Sequence, residues 1–320
     1  MFNSINLTEF RGIKKCEKPV EFSKFNLIIG ANNSGKSSIL EALSFFPDPW
    51  GDVGLPILRS SRPIIFRWLH GDMKSTVYGY SGTCTINYKF EGKTFTLKMS
   101  TDGRVEMKLD DKSFTDINRI VDVLAKSPTE LTAYVVFIPV NDRFRENLSI
   151  GLIENWDTVE KTGASVRLVK QFISKVVADK FTEVIVRGNE LRIRQEFPKE
   201  EKVIYVRLND VGDGVKKFLL PALWIETLNP KVVLWDDLEV SAHPTLIRAV
   251  IEWMVTHDWQ VIASTHSVDV LHEFVMSEPE DAKVIQLKRT NEGVLLWTEL
   301  TPKDVEEFFE KGQDVRKLFM

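Results

Sequence analysis

The stretch Gly30-Ala31-Asn32-Asn33-Ser34-Gly35-Lys36-Ser37 has the chemistry of a phosphate cradle. Two glycines let the backbone wrap an anion with its N–H groups turned inward. Lys36 is placed to reach the outer phosphates of a nucleoside triphosphate, and the Ser37 hydroxyl is a ligand for Mg²⁺. At ordinary residue frequencies, G-x-x-x-x-G-K-[ST] arises by chance in roughly one chain in a hundred of this length. The flanks supply the setting this chemistry needs. Lys24–Ile29 (KFNLII) reads as a buried central strand, and KSSILEALSFF reads as a helix stopped at Pro47. The positive end of that helix would lie under the phosphates.

Three further segments carry candidate groups. Val232 to Asp237 (VVLWDD) is an apolar strand ending in two carboxylates. A nucleotide site needs one carboxylate to hold the metal, the role that suits Asp236. It also needs a base or water-positioning group at the terminal phosphate, the role that suits Asp237. Ser264-Thr265-His266-Ser267 closes the strand WQVIAS, where a histidine can donate a hydrogen bond to a phosphate. Leu208 to Gly214 (LNDVGDG) is a glycine-rich turn leading into a helix, and such turns bind anions through backbone N–H groups at Gly212 and Gly214.

The elements that must hold these groups divide the chain into three zones. Residues 1–46 and 201–320 would form the core that holds the phosphate loop. The later part alternates strands at VIYV (203–206), KVVLWD (231–236), WQVIAS (259–264) and KVIQLK (283–288) with helices near 214–229, 244–257 and 267–276. That alternation implies a parallel sheet with helices on its faces and a ligand at the strands' carboxyl ends. Residues 47–200 read as an insertion: an antiparallel meander of Cys84–Phe90, Phe95–Met99 and Val105–Leu109, then the buried strand Tyr134–Ile138. A helical arm around Val166 to Phe181, with apolar residues at 166, 169, 172, 173, 176 and 177, follows. The chain has 42 Lys+Arg against 46 Asp+Glu, a net charge of −4, which excludes a histone-like coat for nucleic acid. No apolar run approaches the length of a membrane span, and the N-terminus lacks a signal core. With Cys16 and Cys84 as its only cysteines, the sequence suits a reducing compartment, so a cytoplasmic protein without membrane contact is expected.

The four motifs, in this order, resemble the nucleotide-binding head of an ABC-type ATPase of the SMC, RecF and OLD group. Residues 5–43 are similar to that group's opening strands, Phe-Arg-Gly turn and Walker A loop. Residues 202–276 are similar to its signature region, Walker B strand, D-loop and switch histidine. The resemblance implies an α/β P-loop NTPase with a parallel core sheet flanked by helices and an antiparallel β subdomain, the two-lobe architecture of such heads. It also implies that ATP and Mg²⁺ are bound by Gly30, Asn32, Asn33, Ser34, Gly35, Lys36, Ser37 and Ser38, with Ser37 and Asp236 on the metal. Asp237, His266 and Lys36 would be catalytic, and Arg11 would lie along the nucleotide. Glu239 to His243 would form the D-loop. Two copies would dimerise head-to-tail on ATP, each signature turn completing the other's site.

Three departures modify this expectation. Asp237 stands where the group has glutamate, and the missing methylene could slow hydrolysis about 10²-fold. The signature turn lacks its usual serine and carries Asp210 and Asp213. No glutamine closely follows the YVVFIP strand, leaving Asn141 as a stand-in. The 176 positions between Lys36 and Gly212 hold no sustained heptad array, so coiled-coil arms are not expected, nor is a TOPRIM nuclease domain after His266. Two functions are compatible with the pattern. One is a head acting on DNA in repair, chromosome maintenance or defence, motivated by the basic and aromatic residues of LRSSRPIIFRWLHGDMK (58–74). The other is an ATP-dependent switch for a partner protein such as a nuclease or toxin, without DNA contact.

Overall fold

The computed structural model describes residues 1–320 except 111, 125, 178, 240–242 and 318–320. The first strands are β1 (Phe2–Phe10), β2 (Ile13–Cys16), β3 (Val20–Glu21) and β4 (Phe25–Gly30). They are followed by β5 (Thr83–Phe90), β6 (Lys93–Ser100), β7 (Val105–Leu109), β8 (Lys112–Phe114) and β9 (Val135–Ile138). Next come β10 (Phe181–Val186), β11 (Leu191–Phe197) and β12 (Lys202–Arg207). The last four are β13 (Val232–Trp235), β14 (Gln260–Ser264), β15 (Ala282–Arg289) and β16 (Val294–Leu300).

The core is the parallel set β15-β4-β14-β13-β9. β4 is buried at all six positions, as a strand covered by helices on both faces must be. Even its polar residue is satisfied: the Asn26 amide donates to the carbonyls of Ser23 and Val261. Register aligns the carboxyl ends of neighbouring strands, with Ile28 opposite Ser264, Ala263 opposite Trp235, and Trp235 opposite Ile138. The loops after Gly30, Trp235 and Ser264 therefore leave the sheet side by side, and this alignment builds the site.

From β15 the sheet continues through β16, β2 and β1 into the antiparallel meander β5 to β8, giving thirteen strands among the described residues, with β3 on β1. The meander has the expected alternation: Cys84, Ile86, Tyr88 and Phe90 are buried and pair with Met99, Leu97, Phe95 and Lys93. Its first turn is Glu91-Gly92, both at positive φ, the two-residue connection whose twist matches the strands.

Several sequence expectations are corrected. The helix after the phosphate loop ends at Ser44, capped by Phe45, short of the Pro47 stop. VIYV (203–206) is not part of the parallel core. It lies in β12, at the edge of a separate antiparallel sheet, β10-β11-β12. The helical stripe is Ala164–Leu168, a π-helical turn Val169–Ile173 and Ser174–Val176, and Phe181 begins β10 instead of extending the helix. The strand placed with the insertion, Val135–Ile138, pairs with β13 along the edge of the core. A buried guanidinium lies against that edge: Arg62, in helix Arg62–His70, donates to the carbonyls of Thr132 (2.9 Å) and Val135 (3.1 Å). No helix among the described residues is long and apolar enough to cross a membrane.

Candidate functional site

The loop after β4 turns sharply into helix Lys36–Ser44, and two glycines permit it. A Cβ on Gly30 would sit 2.5 Å from the Leu287 carbonyl and 2.6 Å from Ser34 Oγ. Gly35, at φ +106, is the residue before the helix, and a Cβ there would press on Leu295 and Ile13. The first-turn N–H groups of that helix have no partners within it and face the loop's mouth. Lys36 lies along the inside of the loop, its ammonium donating to the carbonyls of Gly30 (3.0 Å) and Ala31 (3.1 Å). Burial lowers its pKa, against the pull of Asp237, Asp236 and Glu239. Ser34 Oγ is buried with no hydrogen-bond partner among the described residues.

The carboxylates arrive from β13. Asp236 Oδ1 accepts from Ser264 Oγ at 2.6 Å and from Ser37 Oγ at 3.2 Å. Burial pushes this carboxyl up to about 6, against the Ser264 hydrogen bond, and Asp237 adds to the rise. A carboxylate held out of water beside a serine hydroxyl fits a divalent cation, whose charge would offset the desolvation. Asp237 adopts φ +45, its N–H donates to Ser264 Oγ at 2.8 Å, and its carboxylate lies 3.6 Å from His266 Nε2. Ser264 thus serves both aspartates, a double role not evident from its place in the strand WQVIAS.

A cleft of about 280 Å³ opens over the loop, lined by Arg11, Gly12, Ile13, Asn32 to Ser38, His266 and Arg289. It gathers Arg11, Asn32, Asn33, Ser34, Gly35, Lys36, Ser37, Ser38 and His266 from the sequence expectation. The Arg11 guanidinium donates to Glu41 at 2.5 Å, and His70 Nε2 lies 3.1 Å from the same carboxylate. Sequence reasoning missed Glu41, whose signal was a lone charge inside the apolar run ILEALSFF. It also missed Arg289, which donates to the Gly12 carbonyl at 2.7 Å.

Other expected residues lie elsewhere. Gly212 and Gly214 line a different cleft with His243, Thr245 and Lys175, at the start of helix Asp213–Leu228. The two acids of that turn have local partners: Asp210 pairs with Arg207 at 2.8 Å, and Asp213 lies 3.4 Å from Lys216. Asn141 caps helix Asp142–Glu154 by accepting from the Phe144 N–H, so its side chain is engaged away from the loop. Of the D-loop segment, Val240 to Ala242 lie outside the described residues. In the stretch 58–74, Arg62 and Phe66 are buried, whereas Arg59, paired with Glu154 at the surface, Arg67 and Lys74 are exposed.

Residues 25–271 match the family described as "AAA domain, putative AbiEii toxin, Type IV TA system". The chain belongs to this family. As a member of this family it carries an AAA-type ATPase domain, and its fold is that of SMC and RecF heads. An SMC head bound to the C-terminal winged-helix domain of ScpA superposes with a TM-score of 0.62 at 16% identity, covering 96% of this chain and 99% of that one. The SMC head domain of Thermotoga maritima gives 0.56 at 14% identity, over 93% and 98%. RecF, the recombination mediator of the RecFOR pathway, gives 0.50 at 15% identity, also over 93% and 98%. In sequence, the uncharacterized protein MJECL10 of Methanocaldococcus jannaschii is 31% identical over 126 residues. That match spans 36% of this AAA-domain chain and 57% of MJECL10.

Proposed function

We propose that this protein is a Mg²⁺-dependent ATP hydrolase whose two copies close head-to-tail on ATP. The observation that carries this reading is the meeting of Ser37, Asp236 and Ser264 within 3.2 Å, beside Lys36 and the Asp237–His266 pair. In this reading the loop N–H groups and Lys36 hold the phosphates, Lys36 exchanging its two loop carbonyls for phosphate oxygens. Arg11 and Arg289 flank the nucleotide. Ser37 and Asp236 hold Mg²⁺, which would neutralise charge on the phosphates. Asp237 orients the attacking water and accepts its proton, while His266 donates a hydrogen bond to the terminal phosphate. Asp237 is one methylene shorter than glutamate, so turnover is slow. The signature turn opens on a different cleft from the phosphate loop, which supports its serving a second copy.

For the output of this cycle, DNA repair, chromosome maintenance or defence accords with the recombination-mediator neighbour. The partner-switch reading gains from the stretch 58–74, because Arg62 and Phe66, which would have contacted DNA, are buried in the fold. A nuclease or effector partner is the occupant this second reading requires.

The test is steady-state ATP hydrolysis across a hundredfold range of protein concentration, with Lys36→Ala as the blank. Activity per molecule should rise with concentration and vanish in the blank. Flat specific activity would overturn the shared site, and turnover in the blank would overturn the site itself.

A further inference from the structure

His266 is gripped through its backbone on both sides. Its N–H donates to Glu239 Oε1 at 2.6 Å, and the preceding Thr265 hydroxyl donates to Glu239 Oε2 at 2.7 Å. One carboxylate on the loop after β13 therefore ties down two residues of the loop after β14. From the other side, Arg316 Nη1 donates to the His266 carbonyl at 2.7 Å. Arg316 is itself fixed, since its Nε and Nη2 donate to the Asp314 carboxylate at 2.9 and 2.8 Å. The 3-10 turn that carries it, Val315–Lys317, is anchored to the sheet: Val315 is fully buried, and its carbonyl accepts from the buried Gln286 amide at 3.0 Å.

A histidine loop held by only one of these contacts could swing about the other peptide bond. With both peptide groups flanking His266 engaged, the ring has little freedom but rotation about its own side-chain bonds. It points to Asp237 at 3.6 Å. Fixing donors before the reaction is what gives a polar site its electrostatic effect, and a displacement of about 1 Å can cost 10²-fold in rate.

We propose that Glu239 and Arg316 are positioning residues that act through His266, so that a turn near the end of the chain sets the rate of ATP hydrolysis without touching nucleotide. The inference rests on the proposed role of His266 and extends it to a segment about fifty residues further on.

The experiment is a double-mutant cycle on the full chain with Mg²⁺-ATP, comparing wild type, His266→Ala, Arg316→Ala and the double variant. Arg316→Ala should lower kcat by about 10- to 100-fold while KM changes less than about twofold. Arg316→Lys, which keeps a single donor, should recover most of the loss. In the His266→Ala background the same Arg316 change should cost nothing further. An equal loss in both backgrounds would overturn the inference, because Arg316 would then act independently of His266. A wild-type kcat in His266→Ala would instead remove the underlying role of the histidine. If Arg316→Ala does not fold, Glu239→Gln carries the same cycle with the same two outcomes.

Discussion

The phosphate-loop corner and the signature turn are both glycine-rich entries to helices, yet they are built in opposite ways. At the corner three charged side chains are already engaged: Lys36 on two carbonyls, Asp236 on two hydroxyls, Glu239 on two donors. Gly35 there has φ +106 and close neighbours. At the turn, a Cβ on Gly212 would meet no heavy atom of the described residues within 4 Å, and Asp213 is largely exposed. The contrast is what the proposed head-to-tail cycle would need: a preorganised corner to hold the nucleotide, and an open turn to serve a second copy.

The largest way to sharpen this division is Asp237→Asn. It should retain ATP binding but lower hydrolysis by about 10²-fold or more, and the ATP-bound protein should accumulate as a dimer in light scattering. Persistent monomer with bound ATP would break the link between the corner and the turn. The glycines offer a paired test. Gly35→Ala should cost about 1–3 kcal/mol through its strained φ and its contacts with Leu295 and Ile13. Gly212→Ala should leave thermal stability within about 0.5 kcal/mol yet reduce ATP-dependent dimerisation. Equal melting losses at both positions would erase the difference between the corner and the turn.

Asp236 tests the corner's need for a cation. Because its folded pKa is raised from 3.8 to about 6, the ligand-free protein loses stability as pH rises through that interval. Asp236→Asn should therefore stabilise the ligand-free protein at pH 7, by at most about 3 kcal/mol for a shift near two units, while abolishing Mg²⁺-dependent turnover. A lower melting temperature in the variant at pH 7 would contradict the burial argument. The smallest effect concerns the helix that starts at the signature turn. Burial would raise Glu226, but donors from His257, Trp253 and Arg167 outweigh it and hold the carboxyl at about 2. Burial likewise works against His257, whose pKa is nonetheless raised, chiefly by its hydrogen bond with Glu226. The Glu226 contribution is present above 4.5 and fades as pH falls towards 2. The His257 contribution is complete below 6.5 and fades as pH rises past its folded value. Glu226→Gln should thus lower the melting temperature most between about pH 4.5 and 6.5, leaving ATP affinity unchanged.

What the sequence made legible was local. The phosphate loop, the carboxylate pair and the meander follow from spacing within ten residues, and they appear with the expected alternation and turns. What it concealed depends on distant partners. Glu41 is understood only beside Arg11 and His70, each about thirty positions away, and Arg289 only beside Gly12, 277 positions away. VIYV has the same β-rich composition as a core strand, but its pairing with β11 is decided by the neighbouring hairpin. In the stretch 58–74 a loop-helix packing its aromatics inward was legible, and Phe66 is buried, but Arg62 looks like a surface cation until the strand it donates to is in place.

That guanidinium has a consequence for the molecule in a crowded solution. An open edge on the parallel core would present a row of carbonyl and amide groups to any extended chain, including another copy. By occupying the carbonyl of Val135 in β9 and that of Thr132 in the helix before it, Arg62 takes up part of the hydrogen-bonding capacity where the sheet ends. Strand addition by another chain is thereby disfavoured at this end of β9. In the proposed ATP-dependent closure, contacts through loops and helix ends could form and dissolve within each cycle, whereas a continuous sheet would lock two copies together.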